Sequence, residues 1–452
     1  MINKNLIFGL ALLCATPTLS LASGFALIEL NARGQGNAYA GASAYTPDAS
    51  TVYFNPAGMM LLQDDQMTAA AHVVMPKSSF NDDGSRASDL LGGAPLTGTD
   101  DDGGSNAFIP NFYWVTALSE DMKFGLGFNA PFGLATKYDD TWRGRYHGVI
   151  SDLRTINFNP SLGYRVNDKM SVGGGLNVML ADVDLSSAID FGAICYASLN
   201  PATCDALGSK PQEADGLAEL EGDNFDDLGL GFNFGLLYEI SSQTGVGVAF
   251  RSEVDLKVKG DASFAVPASS SFVFANNAFI DTGIKAEVTT PASLSVSLSH
   301  RMEQITYLAD ITWTGWSSFD ELRIKYDNPD QPDSVTTEDW NDTMRYSVGI
   351  DYQYTDKLVL RTGIAYDETP VPSPERRTPR LPGNDRTWLS FGASYQYSQQ
   401  LSFDVGYSHL FVDDPKINNE FESGIPTLEA TLTGDYEAAV DIFSAQLNWH
   451  YE

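Results

Sequence analysis

The chain has 452 residues, of which 43% are hydrophobic and 19% charged, and its formal net charge is −32. An excess of 59 acidic over 27 basic side chains argues against a nucleic-acid partner, because binding phosphates needs basic patches. The mean hydropathy of −0.16, with no apolar run of about 18 residues beyond the N-terminus, excludes a bundle of membrane-spanning helices. It leaves open a transmembrane β-barrel, whose strands carry apolar residues only at alternate positions.

Residues 1–22 have the pattern of a cleaved signal peptide. Lys4 gives a basic start, residues 6–15 form an apolar run, and Ser20-Leu21-Ala22 is a small-residue cleavage site. A run of about ten residues is too short to span a bilayer. We therefore expect cleavage after Ala22 and export across the inner membrane. Lipid attachment at Cys14 is the alternative, but the preceding Leu13 is larger than that modification requires.

Residues 23–64 do not have the pattern of a strand. Gly34, Gly36, Gly41 and the Asn55-Pro56 pair interrupt this stretch as turn residues do. The stretch precedes the first predicted strand, so it either hangs free or folds into a barrel lumen. A wide barrel leaks unless something fills it, and we therefore predict an N-terminal hatch (plug) at 23–64.

From residue 65 onward, apolar and polar residues alternate with the period of a β-strand. In residues 345–354, for example, Arg345, Ser347 and Asp351 fall on the face opposite the tyrosines and aliphatic residues. The same pattern recurs at 156–166, 228–240, 245–257, 358–366, 389–397, 401–409 and 443–451. Alternation over about ten residues is typical of a tilted membrane strand, although a soluble β-sandwich also alternates.

The lengths of the connections favour the barrel over the sandwich. Six short joints are predicted near residues 120–121, 167–168, 242–243, 302–303, 355–356 and 398–400. They are interleaved with seven long polar stretches at 81–106, 134–152, 185–225, 258–284, 316–341, 367–386 and 411–438. Short turns on one side and long loops on the other are typical of outer-membrane barrels. We predict an all-β fold, a transmembrane antiparallel barrel of 14 strands at 65–452.

Pro131, Phe132 and Gly133 interrupt the third predicted strand. Proline removes a hydrogen-bond donor from the ladder and glycine weakens a strand interior, so a kink or bulge is expected. The alternative is that the strand simply ends here. A kink would leave a gap in the ladder, and such a gap suits sideways release of an apolar ligand.

The alternation also predicts which charged side chains face the lumen. They are Arg251, Glu253, Arg345, Asp351 and Arg361. We interpret them as a network that pins the hatch to the wall rather than as a ligand site.

Two cysteines remain in the exported chain, Cys195 and Cys204. An oxidising compartment favours a local disulfide between them, with two free loop thiols as the alternative. The five histidines are dispersed without metal-ligand spacing, and there is no Gly-x-Ser-x-Gly motif of a barrel lipase. We therefore expect no catalytic residues, no metal and no cofactor.

The chain resembles the FadL/OmpP1/TodX family of outer-membrane transporters for long-chain fatty acids and other hydrophobic compounds. The resemblance rests on motifs spread along the whole mature chain. They are Gly24-Phe25, residues 34–41 (GQGNAYAG), Asn55-Pro56-Ala57, 132–136 (FGLAT), 250–254 (FRSEV), 316–319 (WSSF), 361–367 (RTGIAYD) and Val371-Pro372.

This resemblance implies a barrel of fourteen strands with an N-terminal hatch and passive transport. In the family, ligand is caught at external loops, moves to an internal pocket and leaves through the barrel wall. The Asn55-Pro56-Ala57 triplet is then expected to cap the hatch and to meet the kinked third strand, and a plain turn is the alternative. Arg323 matches a basic position thought to hold the carboxylate, with an external ion pair as the alternative. Another basic position of some relatives is Ser187 here, and the loop at 185–225 has no residue-by-residue match.

The function we expect is passive uptake of long-chain fatty acids by a monomer in the outer membrane of a Gram-negative bacterium. Uptake of uncharged hydrocarbons or aromatic compounds by the same fold is the main alternative, and an adhesive barrel is a third. The expected partners are hydrophobic small molecules, outer-membrane lipids and lipopolysaccharide, and not nucleic acid.

Overall fold

The computed structural model describes residues 24–422, 424–425 and 428–451. The predicted signal peptide at 1–22 lies outside the described residues. The strands are β1 (Asp65–Asp82), β2 (Ala107–Ser119), β3 (Met122–Asn129), β4 (Gly133–Lys137), β5 (Ile150–Asn167), β6 (Met170–Asp190), β7 (Asp215–Asp223), β8 (Gly229–Ser241), β9 (Thr244–Arg251), β10 (Val254–Ala265), β11 (Thr282–Thr290), β12 (Ser293–Met302), β13 (Ile305–Thr314), β14 (Glu321–Tyr326), β15 (Ser334–Thr337), β16 (Thr343–Thr355), β17 (Leu358–Asp367), β18 (Arg386–Gln396), β19 (Leu401–Val412), β20 (Lys416–Glu420) and β21 (Thr431–Tyr451).

Fourteen of the described strands form a closed antiparallel ring. Their order around the ring is β1, β2, β3, β5, β6, β8, β9, β12, β13, β16, β17, β18, β19 and β21. The ring closes because β21 pairs with β1 along the full length of β1, from Asp65 opposite Tyr451 to Asp82 opposite Gly434. Closure removes the exposed edges that an open sheet would present. The predicted 14-stranded barrel is therefore confirmed.

The remaining seven described strands lie at the end of the barrel with the long connections. At this end the wall is extended by β7, β10, β11, β14 and β15, while β4 pairs with the start of β5 and β20 with the start of β21. The predicted long stretches are therefore partly ordered as sheet. The six predicted joints lie at the opposite end, each at a connection of two to four residues between ring strands. None of the helices in the described residues is long and apolar enough to cross a membrane.

Side chains alternate between the two faces of the ring. Along β16, Tyr346 and Val348 are exposed on the outside, whereas Arg345 and Ser347 are buried inside. An apolar exterior and a polar interior are what a barrel in a lipid bilayer requires.

The predicted continuous strand at 245–257 is wrong in one respect. It breaks at Ser252 and Glu253, where Ser252 exchanges hydrogen bonds with the backbone of Phe232. Beyond the break, the residues that the alternation assigned to the outward face point inward. Val254 and Leu256 are therefore buried. Glu253 lies in the break and is exposed, outside the predicted lumen network.

Residues 24–62 precede the ring and pack against its inward-facing residues. They contain two short helices, α1 (Ala32–Gln35) and α2 (Thr51–Phe54), and a 3-10 helix at Pro56–Leu61. Hydrogen bonds join this N-terminal segment to strands far apart around the ring: the Ala32 N–H donates to Gln446 on β21, and the Asn55 amide donates to the Leu236 carbonyl on β8.

The long connection between β6 and β7 forms two further helices, α3 (Phe191–Ser198) and α4 (Pro201–Leu207). The side chain of Asp190 accepts a hydrogen bond from the Ala193 N–H and so caps α3. Cys195 and Cys204 form a disulfide between the two helices, as predicted.

Candidate functional site: the wall break and the adjoining cavity

The wall is interrupted where the sequence places Pro131. Asn129 at the end of β3 pairs with Asn157, and Gly133 at the start of β4 pairs with Arg154, so three residues on one side oppose two on β5. The extra residue makes residues 130–132 a β-bulge. Pro131 lies in this bulge and has no N–H that could continue the ladder. The predicted kink is therefore present.

The break leaves residues 107–111 of β2 without a strand partner on the side that faces the third strand, although they pair with β1 on the other side. Pairing between β2 and β3 ends at Phe112 opposite Phe128, and no ladder within the described ranges joins residues 107–111 of β2 to β4. Beyond the bulge, a single bridge between Gly104 and Thr136 reconnects the two sides. The ladder of the wall therefore has an opening between residues 107–111 and 130–135.

The start of the N-terminal segment pairs with the broken strand. The Leu27 N–H donates to the Pro131 carbonyl at 2.8 Å, and the Gly133 N–H donates to the Phe25 carbonyl at 2.8 Å. Backbone groups released by the bulge are thus satisfied by residues more than one hundred positions earlier in the chain.

An aromatic cluster fixes this pairing in place. The Phe25 ring lies 4.7 Å from the Trp316 ring, 5.5 Å from Phe319 and 5.9 Å from Phe132, measured between centroids. Gly24 has φ +57°, and a Cβ atom there would lie 2.6 Å from the Trp316 ring. Glycine therefore fits this position for both conformational and steric reasons.

The hydrogen bonds of the Asn55-Pro56-Ala57 triplet lie within the N-terminal segment and reach β8 of the wall. The Asn55 amide donates to the carbonyls of Ser43 at 2.7 Å and Leu236 at 3.0 Å, while its oxygen caps the 3-10 helix through the Ala57 N–H. Gly173 and Gly235 of the wall lie so close that a Cβ atom on either would overlap the triplet. The expected contact of the triplet with the third strand stays a prediction, and the backbone pairing with that strand is made by Phe25–Leu27.

A cavity of about 170 Å³ lies between the N-terminal segment and the wall. Both Pro56 and Pro131 line it, so it reaches from the triplet to the break. Its apolar lining includes Leu27, Ile28, Phe54, Phe132, Phe234, Phe250, Trp316 and Trp388, and its polar lining includes Asp310, Asp367 and several serines and threonines. A concave apolar site with a few polar groups is typical of small-molecule pockets.

Two arginines of the wall, Arg251 and Arg345, contribute positive charge to this cavity. Each is less than 10% exposed, and neither has a carboxylate within 4.0 Å among the described residues. Arg345 donates to the Ala38 carbonyl at 2.9 Å, and Arg251 donates to the Tyr53 carbonyl at 3.0 Å. Their guanidinium groups also lie over aromatic rings, Arg345 over Trp388 and Arg251 over Tyr53. Both arginines thus hold the N-terminal segment and face the cavity.

Two further predicted lumen residues, Asp351 and Arg361, are joined directly. Arg361 forms ion pairs with Asp351 at 3.1 Å and with Asp404 at 3.3 Å. Asp351 also pairs with Arg33 of the N-terminal segment at 3.3 Å and accepts from the Asn37 amide. These contacts agree with the predicted network that pins the segment to the wall.

Arg323 lies away from the cavity. It is on the hairpin of β14 and β15, where it pairs with Glu321 at 2.6 Å and with Asp333 at 3.3 Å, and all three side chains are about 40% exposed. The hydrogen bonds that Arg323 donates to these two carboxylates raise the pKa of its guanidinium group. This position agrees with the alternative interpretation, an external ion pair, and does not support the predicted contact with a ligand.

A profile of the family described as outer membrane protein transport protein (OMPP1/FadL/TodX) matches residues 12–451. The chain belongs to this family. It is 32% identical to the 47 kDa outer membrane protein of Pasteurella multocida, over 95% of this chain and 94% of that protein. It is 31% identical to the long-chain fatty acid transport protein of Salmonella typhi, over 90% and 92% of the two chains. The crystal structure of a Pseudomonas aeruginosa FadL homologue superposes with a TM-score of 0.83 at 24% identity, covering 95% and 100%.

This family consists of outer-membrane transport proteins, and the barrel is accordingly an outer-membrane protein. Its short turns then face the periplasm and its long connections face the outside. Sequence reasoning did not find the Phe25–Leu27 pairing or the cavity role of Arg251 and Arg345. Alternation gave the direction in which the two arginines point, but not that neither would form a direct ion pair with a carboxylate of the described residues.

Proposed function

We propose that this family member takes up long-chain fatty acids passively through the outer membrane. Ligand is captured at the external loops, held in the cavity between the N-terminal segment and the wall, and released sideways through the break at Pro131. The N-terminal segment acts as the hatch that closes the barrel in between. The observation that carries the proposal is a pair of buried arginines, neither in direct contact with a carboxylate of the described residues, in a cavity with large apolar and aromatic side chains in its lining.

The chemistry of the cavity matches an amphiphile with an acidic head. A buried guanidinium without a carboxylate in direct contact is costly, and a ligand carboxylate relieves that cost with paired hydrogen bonds. Each methylene of the ligand that leaves water for the apolar lining gains about 0.8 kcal/mol. Relatives that share about 30% of the sequence are named as long-chain fatty acid transport proteins, which supports the same substrate class here.

The charge of Arg345 provides a test of the substrate class. Replacing it, Arg345→Gln, keeps a hydrogen-bond donor near the Ala38 carbonyl but removes the positive charge. We expect uptake of labelled palmitate into cells to fall about tenfold while uptake of hexadecane stays unchanged, because a single charge-assisted contact is worth about 1.5–3 kcal/mol. Equal uptake of palmitate by the wild-type protein and by Arg345→Gln would contradict the assignment of a fatty acid as the substrate. A wild-type protein that carries hexadecane and not palmitate would replace the proposed substrate with an uncharged hydrocarbon.

The exit route is tested by straightening the third strand. The variant Pro131→Val with Gly133→Thr supplies a backbone donor and β-favouring side chains, so the ladder can close across the break. We expect uptake of palmitate to collapse while barrel assembly and surface binding are retained. Pro160→Val, which removes a proline from β5, is the matched control and should leave uptake unchanged. If the straightened barrel assembles and transports at the wild-type rate, ligand does not leave through this opening.

A further inference from the structure

Five asparagines form a continuous ladder on the inner face of the wall. They lie on four neighbouring ring strands: Asn129 on β3, Asn157 and Asn159 on β5, Asn177 on β6, and Asn233 on β8. All five are between 0% and 4% exposed. Such a concentration of buried amides is unusual, because buried amides require hydrogen-bond partners and contribute little apolar packing.

Hydrogen bonds join the five side chains into one network. Asn157 donates to Asn129 at 3.2 Å and to Asn177 at 3.1 Å, and Asn159 donates to Asn233 at 2.8 Å. Asn177 completes the connection to Asn233 at 3.5 Å. The network therefore runs without a gap across the wall.

The ladder connects the two parts of the proposed route. At one end, Asn233 and Arg251 line the cavity, and Arg251 donates a hydrogen bond to Asn177. At the other end, Asn129 is the last residue of β3 before the break at 130–132. A polar head that leaves the arginines thus finds amide groups along the wall as far as the opening.

The ladder also has unused hydrogen-bonding capacity. Four of its side-chain atoms are buried without a partner among the described residues: Asn129 Nδ2, Asn157 Oδ1, Asn159 Oδ1 and Asn233 Nδ2. Two of these are donors, suited to a carboxylate, and two are acceptors, suited to a protonated carboxyl group. A purely structural network would be expected to satisfy its own members.

We propose that this asparagine ladder is a second binding site for the carboxyl head of the ligand, between the cavity and the opening in the wall. The inference rests on the proposed sideways exit. A carboxyl group that crosses an apolar interior without hydrogen bonds meets a large desolvation barrier, and the ladder lowers that barrier step by step. Because the asparagines are buried, the head reaches them when the hatch moves away from this part of the wall.

The test compares an acid with a hydrocarbon in a ladder variant. In Asn129→Leu with Asn157→Leu, the two amides nearest the opening become apolar groups of similar size, while Asn177, Asn233 and Arg251 stay in place. We expect palmitate uptake to fall about tenfold and hexadecane uptake to stay at the wild-type rate, because only the acid needs the amides. Asn448→Leu, a buried lumen-facing asparagine on β21 away from this route, is the matched control and should leave both rates unchanged.

Three outcomes overturn the ladder. They are unchanged palmitate uptake in an assembled variant, an equal loss of palmitate and hexadecane, and an equal loss of palmitate in the Asn448→Leu control. Assembly is followed by the mobility difference between boiled and unboiled samples. Asn157→Gln, which keeps the amide, should retain most of the palmitate uptake, and a loss as large as that of the double leucine variant would be a fourth contradicting outcome. Failure of the straightened-strand experiment overturns the exit itself and is measured separately.

Discussion

Glu29 places a carboxyl group inside the N-terminal segment, where it is 3% exposed. Burial raises the pKa of this group to about 7, and the nearby Arg386 and Arg345 guanidinium groups offset only part of that increase. One carboxylate oxygen, Oε2, has no hydrogen-bond partner among the described residues. The N-terminal segment therefore contains a buried carboxyl group that prefers to be neutral.

This preference makes the docking of the segment depend on pH. A carboxyl group whose pKa rises from 4.5 to about 7 on burial contributes stability that is full below pH 4.5 and is lost as the pH rises through about 7. We expect amide exchange in residues 24–62 to be faster at about pH 8 than at about pH 5.5. Glu29→Gln should remove that difference, because the amide stays neutral across the range. A pH dependence that persists in the variant would assign the effect to another group.

Single residues also show where sequence reasoning succeeds and where it fails. Strict alternation correctly placed Arg345, Asp351 and Arg361 inside, because a strand with one apolar and one polar face can insert in lipid in only one way. Alternation failed at Glu253, because a two-residue break in the strand exchanges the inward and outward faces. The period of two in the sequence does not predict such a break. The inward positions of the asparagines were equally readable, but their connection across four strands depends on register.

The break in the third strand could be predicted from the sequence, because proline and glycine act on the strand locally. The partner of the break was not, because Phe25–Leu27 is joined to it only through the folded barrel. The surroundings of Arg323 were not predicted for a similar reason. The hairpin β14–β15 brings Arg323 next to Glu321 and Asp333, and a match to the family at one basic position does not reveal these local ion pairs.

The helical hairpin of α3 and α4 depends on its disulfide. Helices of eight and seven residues are too short to be stable alone, so the Cys195–Cys204 bond and the Asp190 cap hold them together. In Cys195→Ala with Cys204→Ala, we expect an added protease to cleave within 191–207 at least about tenfold faster on intact cells. The mobility of unboiled protein should not change, since the ring strands are tied by their own ladders. Equal cleavage rates would show that the hairpin is stable without the bond.

The barrel and the N-terminal segment are stabilised by different interactions. The ring is closed by backbone ladders between all fourteen strands. The segment is held by contacts with the inner wall, among them the Arg33–Asp351 ion pair and the hydrogen bond from the Asn37 amide to Asp351. A closed ring with a separately attached segment can open without unfolding, and passive transport needs such an arrangement.

Deleting residues 24–62 tests this separation. Because barrels of 16 to 18 strands leave an aqueous channel, we expect a ring of fourteen strands without the segment to conduct ions steadily in a planar bilayer, whereas the intact protein should stay closed. Asp351→Asn removes one shared ion-pair partner and should give brief openings between these extremes, because Arg33 and Arg361 lose a common anchor. Heat-dependent mobility on gels verifies that each variant has assembled. An assembled deletion that remains closed to ions would mean that the wall residues and external loops, and not the N-terminal segment, seal the barrel.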